Sequence, residues 1–154
     1  MNGGTLSLDL EEELTGAVVG EWRPITEDDL LYCVLFSGEG EPHTNEEYCR
    51  KMPYQRRMFY GDATLAISLN EMLNHPEFPL IDATVNDIAV RYTDRLYIGD
   101  SMRTAFVTDG ANETLPDGRE AASVTLLVLG ANAVAMKASL KASGTPKSIV
   151  KGVA

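Results

Sequence analysis

The chain has 154 residues, 44% of them hydrophobic and 23% charged, which is the composition of a single soluble globular domain. Its formal net charge of −10 argues against nucleic acid or an anionic membrane as a partner, because a basic surface supplies most of the affinity for either. No apolar run is long enough to span a bilayer, and Met1–Leu14 lacks the basic start and apolar stretch of a signal peptide, so we expect a cytoplasmic protein.

The first quarter of the chain predicts an arm, a strand and a helix. Met1–Leu14 begins with a glycine pair after two residues and is acidic, and we expect an N-terminal arm. Thr15–Pro24 has the apolar content of a strand. Thr26–Phe36 is predicted to be a helix, because Thr26 and Asp29 have the spacing of a capping box and apolar residues then recur at helical intervals.

The following segment contains one of the two histidines of the chain. Glu39–Thr44 reads EGEPHT and is predicted to be a loop, because its glycine and proline interrupt a helix. His43 lies in this loop, close in sequence to Glu39 and Glu41. Asn45–Met52 predicts a short helix that ends before a proline.

The stretch Gly61–Leu73, which reads GDATLAISLNEML, predicts the central helix of the domain. No ionisable side chain lies between Asp62 and Glu71, and apolar residues cover nearly the whole circumference. Such a helix belongs in a core, because each buried apolar side chain contributes roughly 1.5–3 kcal/mol.

The second half of the chain predicts an antiparallel meander. Four runs alternate or are mostly apolar, as strands with a buried face do, and turn residues separate them. They are Ala83–Thr93, Ser101–Thr108, Ala121–Leu129 and Ala133–Lys141. We predict an arm over residues 1–14, one domain over 15–143 and a Gly-, Ser- and Lys-containing C-terminal tail over 144–154. The layout is α+β, with a curled antiparallel sheet wrapped around one central buried helix, which describes the hotdog fold.

Four short motifs, in the same order, resemble those of the MaoC-like hotdog dehydratases, which include the (R)-specific enoyl-CoA hydratases. The family patterns are T-x-x-D, S-G-D-x-N-P-x-H-x-D-x-x-Y-A, R-I-x-H-G and F-x-x-P-V-x-x-G-D. The matching segments of this chain are Thr26–Asp29, Ser37–Tyr48, Arg57–Gly61 and Tyr92–Asp100. The resemblance extends over roughly residues 16–143.

The resemblance implies reversible addition of water to a 2-enoyl thioester that is bound to CoA or to an acyl carrier protein. In such enzymes a carboxylate and a histidine hold one water beside the C2–C3 bond and move its protons. By position these residues are Glu39 and His43, with His43 as the base. The thioester oxygen gains negative charge, and a backbone N–H at a helix N-terminus is suited to meet it. The resemblance assigns that donor to Gly61, and it implies no cofactor.

The chain departs from the family pattern at the site itself. Glu39 replaces an aspartate, Glu41 replaces an asparagine, and one residue is missing between the proline and His43. The longer Glu39 side chain either compensates for the shorter spacing or the pair is broken. Glu41 is the alternative candidate for the acid. Asp62 replaces a small residue after Gly61, and its carboxylate would disfavour an oxyanion if it pointed inward. A non-catalytic subunit of a heterodimer, or an acyl-thioester-binding module, therefore remains the alternative function.

The segment before the central helix holds the candidate substrate-binding residues. Large side chains are predicted to shape the acyl pocket: Tyr54, Met58, Phe59 and Tyr60. Arg56 and Arg57, with Arg50 and Lys51, form the densest basic patch and are predicted to meet the phosphates of a CoA or carrier-protein arm. The alternative for this patch is charge balance with the nearby glutamates.

Two further function classes and the assembly can also be weighed from the sequence. No metal site is predicted, because two histidines far apart and two cysteines match no ligand spacing. A hotdog thioesterase would need a carboxylate on the central helix where this chain has Leu69, which counts against that activity. We expect a homodimer, or a heterodimer with another hotdog chain, because a lone curled sheet leaves an edge to protect.

Overall fold

A computed structural model describes residues 13–38, 40–109 and 112–147 of the chain. The helices are α1 (Glu27–Ser37), α2 (Glu41–Thr44), α3 (Glu46–Arg50) and α4 (Gly61–Leu73). The strands are β1 (Val18–Val19), β2 (Arg23–Pro24), β3 (Leu80–Tyr92), β4 (Ser101–Thr108), β5 (Glu113–Thr114), β6 (Glu120–Leu129) and β7 (Val134–Pro146). The predicted arm up to residue 12 and the tail from residue 148 lie outside the described residues.

The strands form one antiparallel sheet in the order β1-β4-β6-β7-β3, with β2 added to β4 and β5 to β6. Phe106 of β4 lies opposite Leu126 of β6, and Leu140 of β7 lies opposite Ile88 of β3. The predicted meander is correct for β4, β6 and β7 but wrong for β3, which pairs with the last strand instead of with β4. The chain therefore crosses from one edge of the sheet to the other between β3 and β4.

Helix α4 has the predicted bounds, and it packs on β3, β4 and β6. Its most buried residues are Thr64, Ser68 and Met72, which follow one another at intervals of one turn. Both buried hydroxyls are satisfied within the helix, since Thr64 Oγ1 donates to the carbonyl of Tyr60 at 2.9 Å and Ser68 Oγ to the carbonyl of Thr64 at 2.6 Å. The helix therefore buries polar side chains against the sheet without leaving a donor unpaired.

The core lies between α4 and the concave face of the sheet. Its fully buried large side chains come from both layers and include Met72, Phe78, Met102, Leu126 and Met136. A helix enclosed on one side by a curled antiparallel sheet is the hotdog fold that the sequence predicts. The opposite face of α4, with Asp62, Ala66 and Asn70, is exposed in the single chain.

Helix α1 begins at the predicted capping box. Thr26 Oγ1 accepts from the Asp29 N–H at 3.3 Å, and Asp29 Oδ2 accepts from the Thr26 N–H at 2.9 Å. Asp29 Oδ1 also accepts from the Arg23 guanidinium at 2.8 Å, which joins the helix start to β2. The apolar pattern of α1 does not mark a buried face throughout, because Leu31 is 61% exposed and Leu35 is 79% exposed.

Three predicted elements differ from the structure. The segment predicted as a loop contains the one-turn helix α2, because Pro42 lies in its first turn, where a missing N–H costs nothing. The strand predicted over Thr15–Pro24 is two short strands, β1 and β2, which both pair with β4. Strand β7 continues to Pro146, beyond the end of its alternating pattern. Within the described residues, no helix is long and apolar enough to cross a membrane.

The Asp29 carboxylate gives α1 a pH-dependent contribution to stability. Burial acts to raise the pKa of Asp29, but hydrogen bonds from Thr26 and Arg23 outweigh it, so this pKa lies below its ordinary value of 3.8. A lowered carboxyl pKa stabilises the fold above the ordinary value, and this contribution is lost as the pH falls through the folded-state pKa.

We predict that Asp29→Asn lowers the free energy of unfolding by about 1–2 kcal/mol near pH 7, because the cap and the charged hydrogen bonds are weakened. The difference from wild type should disappear well below pH 3.8, where the carboxyl is protonated in both states. Urea denaturation at both pH values measures it, with Asp28→Asn, an exposed acid of the same turn, as the control. An equal difference at both pH values would contradict the assignment.

Candidate functional site

The backbone of Met58 joins helix α2 to the segment that leads into α4. The Met58 N–H donates to the carbonyl of Pro42 at 2.9 Å, and the Met58 carbonyl lies 2.9 Å from Nδ1 of His43. Met58 is itself held by an antiparallel bridge to Tyr97, and the Phe59 N–H donates to the Leu96 carbonyl at 2.7 Å. The two peptide groups that flank the Met58 Cα therefore hold Pro42 and the His43 side chain against the segment that leads into α4.

The Met58 contact decides which nitrogen of His43 carries the proton. A backbone carbonyl can only accept, so Nδ1 must be the donor in this hydrogen bond. In the neutral imidazole the proton is then on Nδ1, and Nε2 holds the lone pair. The half-buried His43 ring thus presents Nε2 as a basic nitrogen.

The His43 ring lies beside the start of α4. It stacks on the ring of Tyr60, with centroids 3.8 Å apart and planes inclined by 21°. Tyr60 is the residue before Gly61, where the helix begins. Gly40 covers another edge of the imidazole, since a Cβ built on it would lie 3.2 Å from His43 Cδ2. The ring of His43 therefore packs against the residue that precedes the first turn of α4.

Gly61 lies under the ring of Tyr92, the last residue of β3. A Cβ built on Gly61 would lie 2.9 Å from Tyr92 Cε1, so a larger residue here would have to displace the Tyr92 ring, which is 48% exposed. Burial, followed by the charge of Asp62, raises the pKa of Tyr92. The sequence reasoning missed Tyr92, because nothing near it in the sequence indicates a contact with the helix start.

A cavity of about 270 Å³ opens beside Gly61. Met58, Phe59, Thr64 and Tyr92 are among the residues that line it, whereas Asp62 is not. Asp62 lines a separate groove of about 430 Å³ between α1 and α4 and is not among the residues that line the cavity beside the helix start.

The residues predicted to shape an acyl pocket separate into three places. Met58 and Phe59 line the cavity beside Gly61. Phe59, which is 5% exposed, also belongs to the hydrophobic core. Tyr60 stacks on His43 instead. Tyr54 is not among the residues that line the cavity, and its ring lies 5.9 Å from the guanidinium carbon of Arg95, which does line it. Only part of the predicted set therefore lines the cavity beside Gly61, and the substrate-binding assignment stays a prediction.

Each cation of the predicted phosphate patch has an acidic partner. Arg50 pairs with Glu46 at 2.7 Å and Lys51 with Glu47 at 3.2 Å, both one turn apart in sequence. The other two pairs are Arg56 with Asp100 and Arg57 with Glu27. These contacts favour the charge-balance alternative, although exposed ion pairs contribute only about 0–1 kcal/mol, so a phosphate could displace them.

The two candidate acids of the site differ in what the structure describes. Glu39 lies outside the described residues, so its separation from His43 is not defined. Glu41 begins α2 and is exposed. Below it, the buried Cys49 thiol donates to the Pro42 carbonyl at 3.4 Å, which packs α3 under α2. No group of three or more potential metal ligands occurs among the residues that the structure describes.

Comparison with known proteins identifies the fold through structure alone. No protein-family model matches the sequence, and a search of curated proteins also finds no match. A MaoC-like dehydratase from Rhodospirillum rubrum is 13% identical, with a TM-score of 0.71 over 85% of this chain and 91% of that one. The (R)-hydratase from A. caviae involved in PHA biosynthesis is 14% identical, with a TM-score of 0.67 over 84% of this chain and 94% of that one.

A two-subunit assembly is also among the similar structures. The C-terminally truncated HadBC (3R-hydroxyacyl-ACP dehydratase) complex from Mycobacterium tuberculosis matches with 10% identity and a TM-score of 0.62, over 83% of this chain and 96% of that one. The predicted hotdog fold is therefore confirmed. The structural neighbours belong to the dehydratase and hydratase group that the motif resemblance names.

The contact between Gly61 and Tyr92 predicts a non-additive pair of substitutions. Gly61→Ala should displace the Tyr92 ring, and we expect a loss of at most about 1 kcal/mol of stability, because a ring that is 48% exposed can move away from the new methyl group. In a Tyr92→Leu background the same substitution should cost much less, because the nearest ring atoms are gone. Urea denaturation of the four proteins of this cycle measures the coupling. Additive losses would show that the ring does not constrain residue 61.

Proposed function

We propose that this chain is a MaoC-like hydratase or dehydratase that reversibly adds water to a 2-enoyl thioester of CoA or an acyl carrier protein. One observation supports the proposal most strongly. A histidine whose Nδ1 is bound by a backbone carbonyl, and whose Nε2 is therefore basic, lies beside the N-terminus of the central helix. The four ordered motifs and the dehydratase and hydratase structures of the same fold agree with this chemistry.

In the proposed hydration His43 Nε2 removes a proton from a water molecule as the water oxygen bonds to C3 of the enoyl group. The electron pair of the C2–C3 double bond shifts toward the thioester oxygen, which becomes an oxyanion. The first N–H groups of a helix have no acceptor within the helix, and the Gly61 N–H stabilises this charge. A proton is then delivered to C2, from protonated Glu39 if this residue is the acid, or from the proton that His43 took from the water if Glu39 only holds the water. The reverse sequence removes water from a 3-hydroxyacyl thioester.

A second hotdog chain is part of this proposal. Strand β3 has 13 residues and pairs with β7 along one side, and no strand in the described part of the chain pairs with its other side. Free edges of this length are usually covered. The exposed face of α4 also leaves Ala66 uncovered, next to the apolar groove against Tyr32 and Cys33 of α1. A homodimer, or a heterodimer with another hotdog chain, would cover both.

The alternative function is a non-catalytic subunit or an acyl-thioester-binding module. The contact that favours it is the ring of Tyr92 over Gly61, because this ring restricts access to the helix start from that side. The HadBC complex provides a precedent in structure for hotdog chains that associate in a dehydratase complex.

The first prediction of this proposal concerns His43. We expect the chain to hydrate short or medium trans-2-enoyl-CoA thioesters, measured as loss of the ultraviolet absorbance of the conjugated thioester. His43→Asn should lower kcat/KM by about 10²–10⁴-fold, because asparagine can still donate to the Met58 carbonyl but offers no basic nitrogen.

His75→Gln is the matched control, since His75 lies at the other end of α4 and packs edge-on against Phe106. Full activity in the His43→Asn protein would falsify the role of this residue as the base. Absence of activity with every thioester, alone or with candidate hotdog partners, would favour the binding module.

The second prediction concerns assembly. Sedimentation equilibrium should give twice the chain mass of 16.8 kDa for a homodimer. Ala66→Arg should shift the protein toward the monomer, because it places a charge on the exposed face of α4, whereas Asn70→Arg, on the same face but at an already polar position, serves as the milder control. A wild-type protein that stays monomeric at all concentrations would exclude the homodimer and leave a heterologous partner.

A further inference from the structure

Tyr60 makes two contacts that the proposed reaction does not by itself require. Its ring stacks on the imidazole of His43 at 3.8 Å, nearly in parallel. Its hydroxyl donates to the carbonyl of Gly38 at 3.0 Å, at the C-terminal cap of α1. One side chain therefore touches the histidine and the point at which the chain leaves α1 toward it.

We infer that Tyr60 is the positioning residue of His43. It fixes the plane of the imidazole, and it also fixes the chain at Gly38, from which the backbone leads to His43. The inference rests on the proposed function, because it concerns the geometry of the proposed base. Tyr60 is not a catalytic residue in this account, since it acts on the substrate only through His43.

The two contacts of His43 restrict different motions. The hydrogen bond from Nδ1 to the Met58 carbonyl fixes one atom of the ring but allows the imidazole to tilt about that atom. The stacked Tyr60 ring removes the tilt, because a second plane lies against the imidazole on one face. Together they determine the direction of the Nε2 lone pair.

The hydroxyl contact restricts the segment that precedes the histidine. Gly38 ends α1 with a φ of 76°, in the left-handed region that favours a residue without a side chain. The Gly38 N–H donates to the carbonyl of Val34, and its own carbonyl accepts from Tyr60. Helix α2, which begins three residues further on, is held at Pro42 by the Met58 N–H. Tyr60 and Met58, two positions apart, therefore each hold one point of the chain just before His43, at Gly38 and at Pro42.

A tyrosine is the residue type that meets both requirements. Phenylalanine would retain the stacked ring but could not donate to the Gly38 carbonyl. A leucine would fill part of the space but would offer neither a ring face nor a donor. The two substitutions therefore separate the two parts of the inference.

The experiment compares Tyr60→Phe and Tyr60→Leu with wild type by NMR and by kinetics. The chain has only two histidines, so a His75→Gln sample assigns the ring signals of His43 directly. In wild type the ¹⁵N pattern should be that of a neutral ring with the proton on Nδ1. Tyr48→Phe, which removes one phenolic hydroxyl from the short helix α3, is the matched control and should match wild type in every measurement.

Tyr60→Leu should leave the proton on Nδ1, because the Met58 carbonyl still accepts from it. It should lower the NMR order parameters of the His43 ring C–H bonds and lower kcat by about 100-fold with a smaller change in KM, as expected when a reacting group loses its orientation. Tyr60→Phe should retain the ring order parameters, broaden the amide signals of residues 40–44 through microsecond-to-millisecond exchange, and lower kcat about tenfold. A purely structural role would change thermal stability without lowering the ring order parameters.

His43 ring order parameters in folded Tyr60→Leu that equal those of wild type would overturn the inference about the ring plane. Unchanged amide signals of residues 40–44 in Tyr60→Phe would overturn the inference that the Tyr60 hydroxyl holds the chain at Gly38. This variant decides the question if Tyr60→Leu fails to fold. The NMR measurements need no turnover. An inactive wild type with the expected NMR changes would therefore reject the proposed function and leave the positioning role of Tyr60 standing.

Discussion

The backbone of Met58 is the link on which the site depends. Its N–H holds Pro42 and its carbonyl holds His43, each at 2.9 Å, while the same segment is bridged to Tyr97. Backbone hydrogen bonds of this kind do not depend on the identity of the side chain at position 58. They bring the loop histidine to the start of α4 and also determine that Nε2 is its basic nitrogen. Without them, the motif that contains His43 would lose its backbone connection to the segment that leads into α4.

The central helix and strand β3 are the reason that a second chain is part of the proposal. Its buried face carries Thr64 and Ser68, whose hydroxyls bond within the helix, and its opposite face leaves Ala66 exposed. Strand β3 ends the sheet with one side free in the described structure, and its last residue, Tyr92, covers Gly61. A second chain placed against this edge would lie next to the helix start. Assembly and access to the site are therefore physically connected through β3 and the first turn of α4.

Local sequence signals predicted the elements that local physics determines. The capping box of Thr26 and Asp29 and the bounds of α4 follow from side chains within one or two turns, and both are confirmed. The position of β3 beside β7 depends on contacts between distant parts of the chain, and the alternating pattern cannot specify them. The same reason explains why the sequence did not indicate Tyr92 over Gly61, or Tyr60 against His43, although each pair includes a residue that the motifs had already selected. The roles of Glu39, His43 and Gly61 in catalysis stay predictions.

The most direct test of this account is an NMR titration with a 3-hydroxyacyl-CoA, because it examines the site without requiring turnover. If His43 and the start of α4 form one thioester site, the Gly61 amide and the His43 ring should shift together with a single dissociation constant, while the His75 ring stays unchanged. Shifts confined to residues away from Gly61, or a His43 ring that does not respond at saturation, would contradict the account.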